Sequence, residues 1–201
     1  MGSDPTRPST SSAAVHVLTN GYADMAPSPW SVGSTVTYVR DGDAHVVVDP
    51  GLVPGPHTII DPLRDLGVAP EDITDIVFSH HHPDHTVNAA LFPAARIHDH
   101  MAIYHKDTWL SRPAEGFELS GSIRLIVTPG HTPQDITTLV ETEEGMVALT
   151  HLWWFAEGPP DDPLATDGAA LHEGRARVLD IATRIIPGHG APFVPDSRTP
   201  R

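Results

Sequence analysis

The chain has no cysteine among its 201 residues. That removes thiol nucleophiles, CxxC redox pairs, cysteine-ligated zinc modules and iron–sulfur clusters together. Positive charge is almost as scarce: Lys106 is the single lysine, and 12 Lys and Arg stand against 26 Asp and Glu, for a formal charge of −14. Such a chain repels phosphate backbones at long range, so binding of long nucleic acids is disfavoured. No apolar run has the length of a membrane span, and the N-terminus lacks the basic-then-apolar order of a secretory leader. The expectation is a cytoplasmic protein with no membrane association. Aromatic residues make up only 6%.

Histidine, Gly and Pro are plentiful instead, at 14, 16 and 21 residues. The Gly and Pro predict many turns, and imidazoles on an acidic background suit a metal site. Residues 1–12 are small and polar and read as a disordered lead-in. Residues 13–201 are long enough for one domain with its own core.

Strand-like segments are expected at Val15–Leu18, Val36–Arg40, His45–Asp49, Ile73–Phe78, Ala95–His98, Ser122–Val127, Asp135–Glu141 and Met146–Thr150. A Pro-rich loop surrounds Pro27–Trp30. Helices are expected at His57–Leu66, stopped by Gly67, at Thr86–Leu91, and at Leu171–Ile185, where Val178, Ile181, Ala182 and Ile185 share a face. The segment Pro159–Pro163 reads as an exposed loop, and Tyr104, His105 and Lys106, with His98 and His100, as part of a lid or flank. Four candidate strand ends deliver histidines into loops, at 80–85, 131, 151 and 189.

The strongest signal is Ser79-His80-His81-His82-Pro83-Asp84-His85. A loop leaving a strand at Phe78 can curl around a cation, with His80 and His82 on one side and Asp84 and His85 on another. Neutral imidazoles with a carboxylate suit Zn²⁺, Fe²⁺ or Mn²⁺ better than Ca²⁺. His131 and His189 each follow Pro-Gly, in loops that let backbone approach closely. His81 falls between the proposed ligands as a spacer or support, and His98 and His100 read as structural or surface residues. Trp109, Trp153, Trp154 and Phe155 are candidate substrate walls, with ordinary core packing as the equal alternative.

The motifs His80-x-His82-x-Asp84-His85, Thr128-Pro129-Gly130-His131-Thr132 and Pro187-Gly188-His189-Gly190 resemble the metallo-β-lactamase superfamily, over about residues 15–195. Leu152-Trp153-Trp154-Phe155 and the short chain resemble its small single-domain branch. The resemblance implies an α+β, four-layer αβ/βα sandwich of two mixed β-sheets flanked by helices. It further implies one metal on His80, His82 and His131 and a second on Asp84, His85 and His189.

Family members place a bridging Asp where this chain has His151. A carboxylate offers two oxygens to two cations, whereas a neutral imidazole has one free lone pair. Three arrangements follow: His151 ligates one ion of a water-bridged pair, the site holds one ion tightly and the other weakly or not at all, or the ring turns away and fills space.

The chemistry implied is hydrolysis by metal-activated water, with Asp84 as ligand and proton carrier, on a small ester, thioester or lactone. Phosphodiester or RNA cleavage is the alternative, and a non-catalytic metal-stabilised binding protein the second. Mononuclear-iron oxidation fits less well, since His80, His82 and His131 lack the carboxylate of a facial triad. A homodimer is compatible with the sequence.

Overall fold

The computed structural model describes residues 12–25 and 28–201. The polar lead-in at 1–12, Ser12 apart, and Pro27 of the Pro-rich loop lie outside the described residues. The strands of the first half are β1 (Ala14–Thr19), β2 (Tyr22–Asp24), β3 (Ser31–Gly33), β4 (Val36–Asp41), β5 (Ala44–Val48), β6 (Asp75–Val77), β7 (Arg96–His98), β8 (Ala102–His105) and β9 (Thr108–Ser111). Those of the second half are β10 (Ile123–Val127), β11 (Ile136–Thr142), β12 (Gly145–Thr150) and β13 (Arg184–Pro187). Helices are α1 (His57–Asp65), α2 (Pro83–Thr86) and α3 (Gly168–Leu179).

Seven strands form one mixed sheet in the order β1-β4-β5-β6-β7-β8-β9, and four form a second in the order β10-β11-β12-β13. The parallel pairs are β5–β6, β6–β7 and β12–β13. The β2–β3 pair is a separate two-stranded arm.

Period-two alternation builds the layers. Val46 and Val48 of β5 join Leu125, Val140, Val147, Leu149 and Ile186 in the core between the sheets. Val47, between them, packs outward with Ile59 and Leu63 of α1. On the other side, Ile126, Leu139, Ala148 and Ile185 face outward onto Leu171 and Val178 of α3. The result is the expected α+β sandwich, with two mixed sheets between flanking helices.

Three local expectations are corrected. The last helix starts earlier and ends earlier than Leu171–Ile185. Asp167 caps it by accepting from Ala170 N at 3.0 Å, and it stops at Leu179. Ile185 lies in β13, paired parallel with Ala148. A β-branched pair, Ile185-Ile186, satisfies a strand as readily as a helical stripe, and the register with β12 decides. The expected helix at Thr86–Leu91 is two short pieces, α2 and a 3₁₀ turn at Ala89–Leu91. Tyr104, His105 and Lys106 form an edge hairpin, β8–β9, rather than a lid, with Lys106 at φ 55° in its turn.

Candidate metal centre

Five of the proposed ligands sit just beyond a strand end, where the ladder stops and backbone is free to curve, while Asp84 and His85 lie in α2. β6 leads to His80 and His82, β10 to His131, β12 to His151 and β13 to His189. The ends of β10, β11 and β12 are tied laterally by a hydroxyl chain, Thr128 to Thr137 at 2.9 Å and Thr137 to Thr150 at 2.7 Å. Asp135 clamps the His131 loop by accepting from Thr132 N at 2.8 Å and Thr132 Oγ1 at 2.6 Å. Burial pushes the Asp135 carboxyl up to about 6. Gly51 admits the α2 backbone, since a Cβ there would lie 1.6 Å from the Asp84 carbonyl oxygen.

The imidazoles converge in two sets. His80 Nε2 lies 3.0 Å from His82 Nδ1, and His131 Nε2 lies 3.1 Å from the same atom. Beside them, Asp84 Oδ2 stands 3.5 Å from His85 Nε2 and 3.7 Å from His189 Nε2. These two triads, His80/His82/His131 and Asp84/His85/His189, each gather their ligand atoms within 4.8 Å. They can coordinate one or two metal ions.

The outward ring nitrogens are occupied, which fixes the tautomers. His131 Nδ1 donates to Asp162 Oδ2 at 2.8 Å, His85 Nδ1 to Asp49 Oδ2 at 2.9 Å, and His189 Nδ1 to the Gly33 carbonyl at 3.0 Å. Every Nε2 of these three therefore turns a lone pair inward. His85 Nε2 is buried with no hydrogen-bond partner among the described residues. An orphaned imidazole nitrogen facing other lone pairs fits a cation, and so does the donor chemistry.

Electrostatics agree. Burial, then neighbouring imidazoles, hold His80 and His151 well below the ordinary histidine value. Burial and His85 bring His189 down to about 4. Burial also opposes charge on His85, but the Asp49 carboxylate outweighs it and raises that group. The site thus presents mainly neutral imidazoles, whose lone pairs are available to a cation.

His151 stands inside the cluster. Its Nε2 is 3.0 Å from His189 Nε2, its ring centroid is 4.2 Å from that of His131, and its Nδ1 is buried without a partner. Gly188 is required for this, because a Cβ would come within 2.4 Å of His151 Cδ2.

A cavity of about 150 Å³ opens on these groups, lined by His82, Asp84, His131, His151 and His189 with Ala23, Met25, Trp30, Val32, Trp154 and Leu164. Of the four aromatic residues expected as walls, Trp154 is there. Trp153 is fully buried, donates to the Pro200 carbonyl at 2.9 Å and lies under Arg175. Trp109 lies on edge strand β9 against Tyr104. Phe155 packs beside Gly190. The structure brings none of these three to the cavity.

Sequence reading missed Asp49, Asp162 and Trp30. Asp49 carried a usable signal, a carboxylate ending a strand before Pro-Gly. Asp162 lies in the Pro159–Pro163 segment read as exposed, yet it is buried and also accepts from Trp154 Nε1 at 3.0 Å. His81 turns out of the cluster toward Asp99, and His98 is buried on Asp75 at 2.7 Å.

The metallo-beta-lactamase superfamily profile matches residues 30–161. Metallo-beta-lactamase domain-containing protein 1 of Xenopus laevis is 33% identical over 189 residues, covering 90% of this chain and 81% of that protein. The Mus musculus protein of that name is 32% identical, covering 88% and 73%. An N-acyl homoserine lactonase of Bacillus sp is 33% identical over 107 residues, covering 46% and 43%. In three dimensions, an N-acyl homoserine lactone hydrolase crystallised with N-hexanoyl-L-homoserine at its catalytic metal center shares the fold at TM-score 0.64 and 18% identity, over 90% of this chain and 93% of that one. By these matches the chain belongs to the metallo-β-lactamase superfamily and is homologous to metallo-beta-lactamase domain-containing protein 1.

Proposed function

We propose that the protein is a metal-dependent hydrolase of a small carboxylic ester, thioester or lactone bearing an apolar group. The observation that carries this reading is the cavity, in which the donor groups share one small space with Met25, Trp30, Val32, Trp154 and Leu164. Partial likeness to an N-acyl homoserine lactonase supports the same substrate class. Among the described residues, no Lys or Arg lines the cavity. A phosphodiester would therefore enter without a cationic side chain, which disfavours that alternative.

His80, His82 and His131 would hold one ion, and Asp84, His85 and His189 would hold a second, with His151 beside His189 as a further donor. Zn²⁺ suits this set, and Fe²⁺ and Mn²⁺ are compatible with it. A bound ion of this kind supplies Lewis acidity toward the carbonyl and lowers the pKa of water.

The chain's own groups do the rest. Asp49, Asp162 and the Gly33 carbonyl keep three imidazoles in the ligating tautomer. Asp84, partly open to the cavity, accepts the proton of the attacking water and returns it to the leaving alkoxide or thiolate. The apolar wall excludes water and seats the acyl or alkyl group.

The test is a comparison of kcat/KM for the Zn²⁺-loaded protein on a γ-lactone with an acyl chain, an aryl ester, a thioester and bis(p-nitrophenyl) phosphate. We expect the carboxylic substrates to lead and Asp84→Asn to lower their kcat by at least about 100-fold. Faster turnover of the phosphodiester, or no turnover by protein of full metal content, would overturn the reading.

A further inference from the structure

His81 belongs to the most histidine-rich stretch of the chain yet takes no part in the main cluster. Its Nε2 lies 3.1 Å from Asp99 Oδ2, and His100 Nδ1 lies 3.9 Å from that same oxygen. The three ligand atoms fall within 4.8 Å of one another. We propose that His81, Asp99 and His100 form a separate site for a divalent transition-metal ion, with solvent completing its coordination.

The donor set is two imidazoles and one carboxylate, which favours Zn²⁺, Co²⁺, Ni²⁺ or Fe²⁺ over Mg²⁺ or Ca²⁺. Two atoms each about 2.1 Å from a shared ion stand roughly 3 to 4 Å apart, so both observed separations suit coordination. His100 Nδ1 is shielded from water and has no hydrogen-bond partner among the described residues. A buried donor or acceptor left unpaired at 3.9 Å from a carboxylate is not accounted for by an ion pair between His81 and Asp99 alone.

The carboxylate is also held in place beforehand. Asp99 Oδ1 accepts from Met101 N at 2.8 Å and Ala102 N at 2.7 Å, while Oδ2 accepts the Tyr104 hydroxyl at 2.7 Å. Burial and then that bond to Asp99 push the Tyr104 phenol up to about 12, so it stays a donor and is no ligand. Arg112, the nearby guanidinium, bonds the Asp99 backbone carbonyl at 2.9 Å and stacks on Phe117. His81 is partly exposed, which leaves a path for the ion and for water ligands.

An ion here ties the loop between His80 and His82 to the turn joining β7 and β8. It is distinct from the two triads of the cavity, and its presence does not depend on what the cavity hydrolyses.

The experiment is metal analysis of the full chain after equilibrium dialysis against Zn²⁺, and separately Co²⁺, comparing the native protein with His100→Gln and His81→Gln. We expect each variant to bind one ion fewer per chain while keeping the native melting profile under chelator. His100→Gln tests the site without touching a neighbour of the main ligands; if it does not fold, His81→Gln decides. Anomalous scattering from Zn²⁺-soaked native crystals should show a peak within about 2.5 Å of the three atoms. Equal ion content in native protein and folded variants, or no peak there when the cavity triads are filled, would overturn the proposal.

Discussion

His151 Nε2 and His189 Nε2 face each other at 3.0 Å inside a buried cluster of imidazoles. Burial keeps both rings below the ordinary histidine value. Two neutral rings meet nitrogen to nitrogen comfortably only when one donates or when a cation lies between the donors. The resemblance to the superfamily implies a bridging carboxylate at this position, where the chain has His151.

The first prediction concerns that substitution. His151→Asp restores an anionic group with two oxygens and adds one negative charge next to the Asp84/His85/His189 triad. The second equivalent of Zn²⁺ should be held roughly tenfold more tightly or better, a change of about 1.4 kcal/mol. Competition against a chromophoric chelator measures it. Weaker retention would show that the His151 ring is itself an indispensable ligand.

Asp49 supplies the second prediction. It accepts from Ser79 N at 2.7 Å through Oδ1 and from His85 Nδ1 through Oδ2, and its backbone sits at φ 53°. Asn tolerates that conformation and can still accept from Ser79. Its amide NH₂, however, meets His85 Nδ1 as a donor and drives the proton to Nε2, the atom aimed into the metal site. Asp49→Asn should keep the fold and lower Zn²⁺ affinity about 10–100-fold, read by the same chelator competition alongside an unchanged circular dichroism spectrum.

The third prediction is a pH dependence of stability away from the metal. Asp75 is buried, which by itself would raise its pKa. Hydrogen bonds from His98 and Arg96 outweigh burial and bring it down to about 2. A depressed carboxylate stabilises the fold above its unfolded value near 4, and that contribution disappears as pH falls from about 4 to 2. The amount is about 2 kcal/mol. In urea titrations of metal-free protein, the native chain's advantage over Asp75→Asn should therefore be full at pH 6 and shrink steadily below pH 4.

The candidate ligands were legible because their chemistry is local. His80, His82, Asp84 and His85 crowd into six residues, and His131 and His189 each announce a tight loop by the preceding Pro-Gly. The unbroken apolar runs Val46–Val48 and Met146–Leu149 likewise suit strands buried on both faces, since successive side chains in a strand point to opposite sides.

What sequence could not supply was partnership across the chain. Asp162 and His131 are 31 residues apart, Asp49 and His85 are 36, and the Gly33 carbonyl meets a ring 156 residues away. Folding alone creates those pairs, and they choose the tautomers of His131, His85 and His189. The aromatic residues make the same point. Trp153 and Trp154 are adjacent, yet one is sealed beneath Arg175 and the other lines the cavity, because consecutive side chains leave the backbone in different directions. Residue type determined which groups can hold a metal. Only the tertiary structure decided which lone pairs face it, since a ring's free nitrogen is set by the hydrogen bond on its other side.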